Sequence, residues 1–126
     1  MTKSKTDLLK GTLDMLVLKT LSTGSMHGYG IARIIEQQTD DVLSVEEGSL
    51  YPALFRLDRR GLIKSKWGIT DTKRRAKFYQ LTKKGRKQLD DDESNWLRFA
   101  VAVASVLEGK PDSPQKGGVE GVLDNR

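Results

Sequence analysis

The most constraining feature of this sequence is a change of hydrophobic period at Gly61. Before it, Leu50, Leu54 and Leu57 recur at the spacing of one helix face. After it, the runs LIKSKWGI and AKFYQL alternate in the manner of strands, and the charged segment TDTKRR separates them. Gly61 itself is typical of a helix C-terminal stop. The pattern predicts a helix followed directly by a β-hairpin with a basic tip.

Two more helices are predicted before this point. The first covers KGTLDMLVLKTLSTGS, which is apolar on two sides; Thr12 is its expected cap, and Thr6 is an earlier alternative start. The second covers MHGYGIARIIEQQ, with Ile31, Ile34 and Ile35 as its buried stripe.

The segment between the second and third helices carries two local signals. Asp40–Asp41 ends the second helix, and Leu43 is a candidate residue for a short strand. Residues 44–47 have the pattern S-x-x-E of a capping box, so the third helix is expected to start there and to run to about Arg60.

A fourth helix is predicted from Lys83 to about Glu108, with Thr82 as its cap. Its apolar face consists of Leu89, Trp96, Ala100, Val103 and Leu107. Residues 109–126 contain four Gly and two Pro in 18 residues. Such a composition buries too little apolar surface to offset the entropy of ordering, which predicts a disordered tail.

The order of helix, helix, short strand, helix and basic hairpin is that of a winged helix-turn-helix. The fold class expected is mainly α with a small β-hairpin, extended by a long C-terminal helix. The expected domains are a winged helix-turn-helix DNA-binding domain at 1–82, the long helix at 83–108 and the tail at 109–126. In this arrangement the third helix can enter a DNA major groove, which is about 12 Å wide, and the hairpin is the wing.

Charge is concentrated in the same region. The chain has 126 residues and a net charge of +5, but residues 56–87 contain 13 Lys and Arg against 2 Asp and Glu, a local charge of +11. The remaining residues have 9 Lys and Arg against 15 Asp and Glu, or −6. This asymmetry favours a polyanionic partner over an ordinary solvated surface.

The composition also argues against several other classes. There is no Cys and one His, His27, so a metal site is not expected, and neither is a cofactor. No catalytic triad, phosphate-binding glycine loop or paired carboxylate pattern occurs, so an enzyme is not expected. The apolar runs are too short to cross a bilayer, and the N-terminus lacks a signal-peptide core, so a cytoplasmic location is expected.

Five segments of the sequence have a familiar pattern: KGTLDMLVLKTL (10–21), HGYGIARIIE (27–36), LSVEEGSLYPALFRLDRRGLI (43–63), WG (67–68) and RRAKFYQLTKKGRKQL (74–89). In these segments the chain resembles the PadR-like transcriptional regulators, in particular their acidobacterial-type branch. The resemblance implies a dimeric DNA-binding repressor with one long C-terminal dimerisation helix. The wing segment TDTK (70–73) and the residues beyond Glu108 match no pattern of the family.

Pro52 interrupts the apolar stripe of the third helix. With the leucines set inward, Pro52, Gly48 and Arg59 point outward, and the carbonyl that loses its helical bond belongs to Gly48. One interpretation is a shallow apolar surface that approaches a sugar or a thymine methyl group. The other is that the helix starts near Ser49, which would place Pro52 in the first turn at no cost.

The expected DNA-binding residues fall into three groups. Those of the recognition helix are Gly48, Ser49, Tyr51, Pro52 and Arg56. Those of the wing are Lys64, Lys66, Lys73, Arg74 and Arg75. His27 and Tyr29, at the start of the second helix, are expected at the DNA backbone. Arg56 suits either guanine or a phosphate, and Tyr51 suits either a phosphate or a half-buried core position.

The apolar face of the fourth helix is expected at a dimer interface. This surface is formed by Leu89, Trp96, Ala100, Val103 and Leu107. Trp96 is expected in the core of that interface. The resemblance implies a second role for Trp96, because some PadR-like proteins bind planar aromatic ligands between their subunits near such a position. A small aromatic effector is therefore a second partner to test.

The function expected is a sequence-specific transcriptional regulator, a homodimeric repressor of a near-palindromic double-stranded DNA site. The alternative is a winged-helix module that uses the same basic face to bind a protein or structured RNA.

Overall fold

A computed structural model of the protein describes residues 12–109. The predicted tail beyond 109 and the alternative start at Thr6 lie outside this range. The elements in chain order are α1 (Leu13–Leu21), β1 (Met26–His27), α2 (Gly28–Gln38), α3 (Glu47–Arg59), β2 (Ile63–Ile69), β3 (Arg75–Leu81) and α4 (Lys83–Glu108). This arrangement confirms the mainly helical winged fold with a long C-terminal helix.

The short strand lies in a different place from the one predicted. Leu43 is in a bend and packs, half-buried, against the core. The third strand of the antiparallel sheet is β1, which pairs with β3 through Met26 opposite Tyr79 and His27 opposite Phe78. The sheet order is β1-β3-β2. A strand of two residues is too short to show an alternating pattern, so no periodic signal in the sequence indicates it.

The core is formed where the first three helices meet the sheet. Its members from the helices and the loop before α3 are Leu13, Val17, Leu18, Leu21, Ile31, Ala32, Ile35, Val45, Leu50, Ala53, Leu54 and Leu57. The two-sided apolar character of α1 is explained here, since Met15 and Leu16 also pack against this core. The stripe predicted for α2 is shifted slightly, because Ala32 is buried and Ile34 is only half-buried.

The capping box predicted at residues 44–47 is absent. Glu46 is the N-cap residue of α3, and its side chain makes no capping hydrogen bond. Ser44 is exposed, and the next residue, Val45, donates its backbone N–H to Oε2 of Glu36 at 3.0 Å. This bond from α2 fixes the chain before α3, so the helix starts two residues later than a Ser44 cap would require.

The end of α3 follows the prediction closely. Gly61 has a φ of 74° and donates its N–H to the Asp58 carbonyl at 2.9 Å, while Leu62 donates to Leu57 at 2.9 Å. These two bonds form a Schellman motif, in which a left-handed residue closes the helix. The chain is thereby turned from α3 directly into β2.

Thr82 caps α4, as predicted. Its Oγ1 accepts from the N–H of Gly85 at 3.0 Å and donates to the Gly61 carbonyl at 2.8 Å. Gly85 is buried where α4 crosses the start of β2, and a Cβ there would overlap the carbonyl oxygen of Leu62. The absence of a side chain at Gly85 therefore sets how close α4 lies to the wing.

The chain divides into two compact units, one extending to Glu93 and the other beginning at Ser94. The first unit contains α1 to β3 together with the first turns of α4, so its boundary lies within the helix and beyond residue 82. Leu89 belongs to this unit and is buried in its core. The second unit contains the remainder of α4, of which residues 94–108 are helical.

Candidate nucleic-acid interface

The solvent-facing side of α3 has the predicted residues. Gly48 and Pro52 are exposed and Ser49 is half-buried, whereas Leu50 and Leu54 on the opposite side are buried. A Cβ at Gly48 would meet no atom within 4 Å. The helix therefore presents bare backbone and a proline ring to solvent near its N-terminus.

The start of α3 tests the interpretation that Pro52 lies in the first turn of a helix beginning near Ser49. Because α3 begins at Glu47, Pro52 is its sixth residue and lies beyond the first turn. The bonds that start the helix run from Ser49 and Leu50 to the Glu46 carbonyl, at 3.0 and 2.9 Å. The proline has no N–H for the carbonyl of Gly48, which lies on the exposed side. The explanation based on a start near Ser49 is therefore wrong.

Phe55 enlarges this apolar surface and was not among the predicted site residues. Its side chain is 62 % exposed, and the guanidinium carbon of Arg59 lies 5.6 Å from its ring centre. Both residues face the same side of α3 as Pro52. Its exposure follows the helical spacing in the sequence, since counting 100° per residue from the leucine stripe places Phe55 beside the outward-facing Pro52.

Arg56 is held in an ion pair. Its Nη2 donates to Oδ1 of Asp14 at 2.7 Å, and its Nε lies 3.4 Å from Oδ2 of the same carboxylate. These hydrogen bonds raise the pKa of Arg56 above its ordinary value. No local pattern in the sequence indicates this partner, because Asp14 lies 42 residues earlier, in the first turn of α1.

Tyr51 lies at the junction of α3 and α2. Its side chain is exposed along one side, and its ring and hydroxyl approach Gly28 so closely that a Cβ there would lie 2.8 Å from the hydroxyl oxygen. Gly28 is buried, so the first residue of α2 is packed against the tyrosine. The structure thus places Tyr51 between its two predicted roles, partly packed and partly accessible.

His27 caps α2. Its Nδ1 accepts from the N–H of Gly30 at 3.0 Å, and its ring meets Phe78 edge-on at 5.4 Å between centres. An accepting Nδ1 leaves the ring proton on Nε2, which is therefore the donor that remains. Tyr29 is exposed, with its ring stacked on His27 at 6.5 Å. Both residues line the mouth of the cleft described below.

The wing, residues 63–81, has two chemically different faces. Pairing of Trp67 with Lys77 and of Ile69 with Arg75 places these four side chains on one face of the hairpin. Lys64 and Lys66 alternate with them and therefore lie on the other face, which Phe78 shares. The five wing residues expected at DNA are thus divided between the two faces and the tip.

The tip of the wing is a compact turn. Arg74 donates its N–H to Oγ1 of Thr70 at 3.1 Å, and the carbonyl of Arg74 accepts from Thr70 at 2.8 Å. Lys73 has a φ of 67° in the middle of this turn and is exposed. These bonds order the backbone at a tip where three cationic residues are adjacent.

A cleft of 1080 Å³ separates the wing from the start of α2. It brings together five of the predicted residues, which are His27, Tyr29, Tyr51, Arg74 and Arg75. Its other lining residues include Arg33, Trp67 and Lys77, which were not predicted, and the acidic Asp71. Lys64, Lys66 and Lys73 do not line it. Arg75 and Lys77 lie on the cleft face of the wing, whereas Lys64 and Lys66 lie on the opposite face. The alternation of the two strands in the sequence indicates this division.

Tyr79 forms the floor of this cleft, where it is largely buried. Burial raises the pKa of its hydroxyl above the ordinary value for tyrosine, and nearby Tyr51 and Asp58 add to the effect. The hydroxyl is therefore neutral at physiological pH and acts as a hydrogen-bonding group. Aromatic rings with a rim of cations make this a surface suited to a sugar–phosphate strand.

The second unit exposes an apolar surface along α4. Its members Trp96, Ala100, Val103 and Leu107 are spaced by four, three and four residues, the spacing of a coiled-coil seam. Trp96 is 42 % exposed, and Val103 and Leu107 are exposed as well. Leu89 is not available to this surface because it is buried in the first unit.

Within residues 12–109, no three His, Asp or Glu side chains are close enough together to hold a metal ion. None of the helices in that range is long and apolar enough to cross a membrane.

Comparison with known proteins gives a consistent result. Residues 17–91 match the model of the transcriptional regulator PadR-like family. A transcriptional regulator from Clostridium thermocellum is similar in structure, with 31 % identity, a TM-score of 0.71, and coverage of 79 % of this chain and 96 % of that one. A PadR-like transcriptional regulator from Bacillus cereus has 28 % identity and a TM-score of 0.72, and the match covers 82 % of this chain and 99 % of that one. A PadR family transcriptional regulator from Eggerthella lenta has 31 % identity and a TM-score of 0.69, and the match covers 85 % of this chain and 91 % of that one.

Proposed function

We propose that this chain, which belongs to the PadR-like family of transcriptional regulators, is a homodimeric repressor that binds a near-palindromic DNA operator. We also place it in the acidobacterial-type branch of the family, on the segments in which it resembles that branch. It acts by binding rather than by catalysis, and its place of action is the cytoplasm.

The observation that carries the proposal is the position of the basic cleft beside the exposed side of α3. Tyr51 belongs to both, since it lies on α3 and also lines the cleft, as Arg75 and Lys77 do. A strand whose phosphates pass along the cleft would place its bases at the N-terminal half of α3. There Gly48 and Pro52 allow close approach. This is how a winged helix positions a recognition helix in a major groove.

Sequence readout is assigned to the side chains on the exposed side of α3. Ser49 offers a hydroxyl that donates or accepts, and Arg56 offers guanidinium donors that match guanine. Pro52 and Phe55 offer apolar surface that matches a thymine methyl group. Phosphate contacts are assigned to Arg74, Arg75, Lys77 and Arg33 and to the exposed hydroxyl of Tyr29.

The dimer is assigned to α4 of two copies. On a single chain, α4 exposes a row of apolar residues with coiled-coil spacing. Burial of this row against the same helix of a second copy is the best explanation for it. Two recognition helices would then read half-sites about 34 Å apart, which requires a near-palindrome. Repression follows because a dimer bound across a promoter excludes the polymerase.

The rival function, a module that binds a protein or structured RNA, uses the same cations. Structured RNA gives no reason for bare backbone and apolar rings on α3, since an RNA helix has a major groove too narrow for a helix to enter. A protein partner would match the apolar rings, but the local charge of +11 over residues 56–87 favours a polyanion. The DNA proposal accounts for both features.

The deciding experiment selects duplexes from a random pool with the full-length protein at physiological salt. The expected result is enrichment of one near-palindromic motif, bound by a dimer in sedimentation. Enrichment of no motif, or tighter binding of structured RNA than of any duplex, would contradict the proposal. A monomer that nevertheless binds one half-site would retain the DNA function and overturn the dimer.

A further inference from the structure

The ion pair between Asp14 and Arg56 links α1 to the recognition helix. The pair has two contacts, with Nη2 to Oδ1 at 2.7 Å and Nε to Oδ2 at 3.4 Å. Two contacts to one carboxylate fix both the position and the plane of a guanidinium, which a single contact does not. Arg56 therefore leaves the surface of α3 in a defined direction.

Fold stability does not account for this arrangement. The two side chains are 52 % and 32 % exposed, and ion pairs at such exposure contribute little to the free energy of unfolding. Within residues 12–109 there is one other ion pair, Lys19–Glu93, which joins α1 to α4. Only the Asp14 pair restrains a side chain that the proposed function places at DNA.

The contacts leave a specific part of Arg56 available. The Nε and Nη2 edge faces Asp14, so the two hydrogens on Nη1 and the second hydrogen on Nη2 remain free. These point from the end of the guanidinium, and an end-on approach can bond O6 and N7 of guanine at once. A phosphate, by contrast, accepts from many directions and gains less from a fixed plane.

We infer that Asp14 is a specificity-determining positioning residue, which orients Arg56 for a guanine. This inference rests on the proposed function. The long arginine side chain then loses its conformational entropy when the protein folds. DNA binding therefore does not include that unfavourable contribution. Asp14 acts through Arg56 and contacts no base itself.

The charge of Asp14 contributes in the same direction. The carboxylate partly neutralises the guanidinium of Arg56, a cation that would otherwise bind any DNA backbone. Non-specific affinity is therefore held down while the oriented contact supports the specific site. Discrimination, the ratio of the two affinities, benefits from both effects.

The test compares Asp14→Asn with Glu93→Gln. Both replace a carboxylate of an exposed ion pair by an amide of the same shape, but only the first touches Arg56. Each protein is titrated with three kinds of duplex: the one that the wild-type protein selects from a random pool, a series in which each G·C pair of that duplex is replaced in turn, and random-sequence DNA. Asp14→Asn is expected to lose about tenfold of discrimination at one G·C pair. Random DNA should be bound equally well or more tightly, and Glu93→Gln should behave as wild type.

The Arg56→Ala background tests the route of the effect. There the Asp14→Asn change should no longer alter discrimination, because the side chain that it orients is gone. A persistent effect would overturn the inference, since Asp14 would then act independently of Arg56. So would unchanged discrimination in the single variant, or an equal gain for all three kinds of duplex. Thermal melts of each variant within a few degrees of wild type confirm that folding is retained.

Failure of this inference is distinguishable from failure of the proposed function. If the wild-type protein selects no duplex, the proposed function itself is contradicted. If it selects a motif that Asp14→Asn reads with the same discrimination, the DNA function stands and the role of Asp14 is refuted.

Discussion

The guanidinium carbon of Arg75 lies 4.3 Å from the centre of the Trp67 indole ring. The ammonium of Lys77 lies 5.9 Å from the same ring, so one exposed aromatic holds two cations on the cleft side of the wing. Each such contact contributes about 0.5–1 kcal/mol at an exposed site. The cations are thereby directed at the cleft instead of moving freely in solvent.

The first prediction concerns these wing cations. Arg74→Ala combined with Arg75→Ala should weaken binding to all DNA sequences alike, because phosphate contacts carry no sequence information. Each lost contact should reduce the slope of log affinity against log salt by about 0.9. The matched control is Lys64→Ala with Lys66→Ala, which removes the same charge from the opposite face and should change the slope less. Equal slopes in the two double variants would refute the cleft as the path of the backbone.

The second prediction concerns the aromatic platform. Trp67→Leu keeps an apolar side chain at an exposed strand position and should leave the melting temperature nearly unchanged. DNA affinity should fall by a few-fold, because Arg75 and Lys77 lose the ring that orders them. Trp67→Phe should restore part of that loss. A full loss of affinity in the phenylalanine variant would mean that the indole itself contacts DNA.

The third prediction concerns the two glycines whose surroundings differ most. Gly85→Ala should destabilise the fold by roughly 1–3 kcal/mol, because the new methyl group overlaps the Leu62 carbonyl and forces α4 away from β2. Gly48→Ala meets no atom and should stabilise α3 by up to about 1 kcal/mol. Chemical denaturation of both variants measures the contrast. Gly48→Ala should nevertheless lower DNA affinity if the backbone there approaches the groove.

The fourth prediction concerns Pro52. Pro52→Ala returns a backbone donor to the Gly48 carbonyl and should hold or raise stability, while the leucines of α3 remain packed. DNA affinity should fall by about 1–3 kcal/mol, with the largest effect where a thymine lies beneath the ring. A thermal melt and a binding titration on the same variant decide the matter. Destabilisation with unchanged affinity would assign the proline to the fold instead.

The sequence predicted the elements whose signals are local. The stop at Gly61 and the cap at Thr82 depend on residues within one or two turns, and the structure confirms both. The capping box at Ser44 failed because Glu36, eight positions earlier, holds the neighbouring backbone. Local pattern rules do not include a competitor from another helix.

The same reasoning applies to the candidate site. The outward direction of Pro52 and Gly48 follows from counting 100° per residue along α3, and it was predicted. The pairing of Arg56 with Asp14 depends on how α1 packs against α3, and no spacing in the sequence indicates it. The division of the wing lysines was present in the strand alternation, but the sequence does not say which face meets the cleft.

The last prediction concerns the dimer. Trp96 is 42 % exposed on the single chain, so Trp96→Ala should leave the melting of the first unit nearly unchanged. If a second copy of α4 covers the ring, its loss should weaken the dimer by about 3–5 kcal/mol, the cost of removing a buried tryptophan. DNA affinity should fall as the dimer weakens, because two linked winged-helix units are needed to bind two half-sites. The control is Leu97→Ala, whose side chain is 54 % exposed but lies about 100° around the helix from Trp96. Sedimentation over a range of concentrations measures both variants.

A Trp96→Ala protein that stays as dimeric as wild type would place the ring outside the interface core. The alternative role, contact with a planar aromatic ligand between the subunits, would then be tested by tryptophan fluorescence of the wild-type dimer.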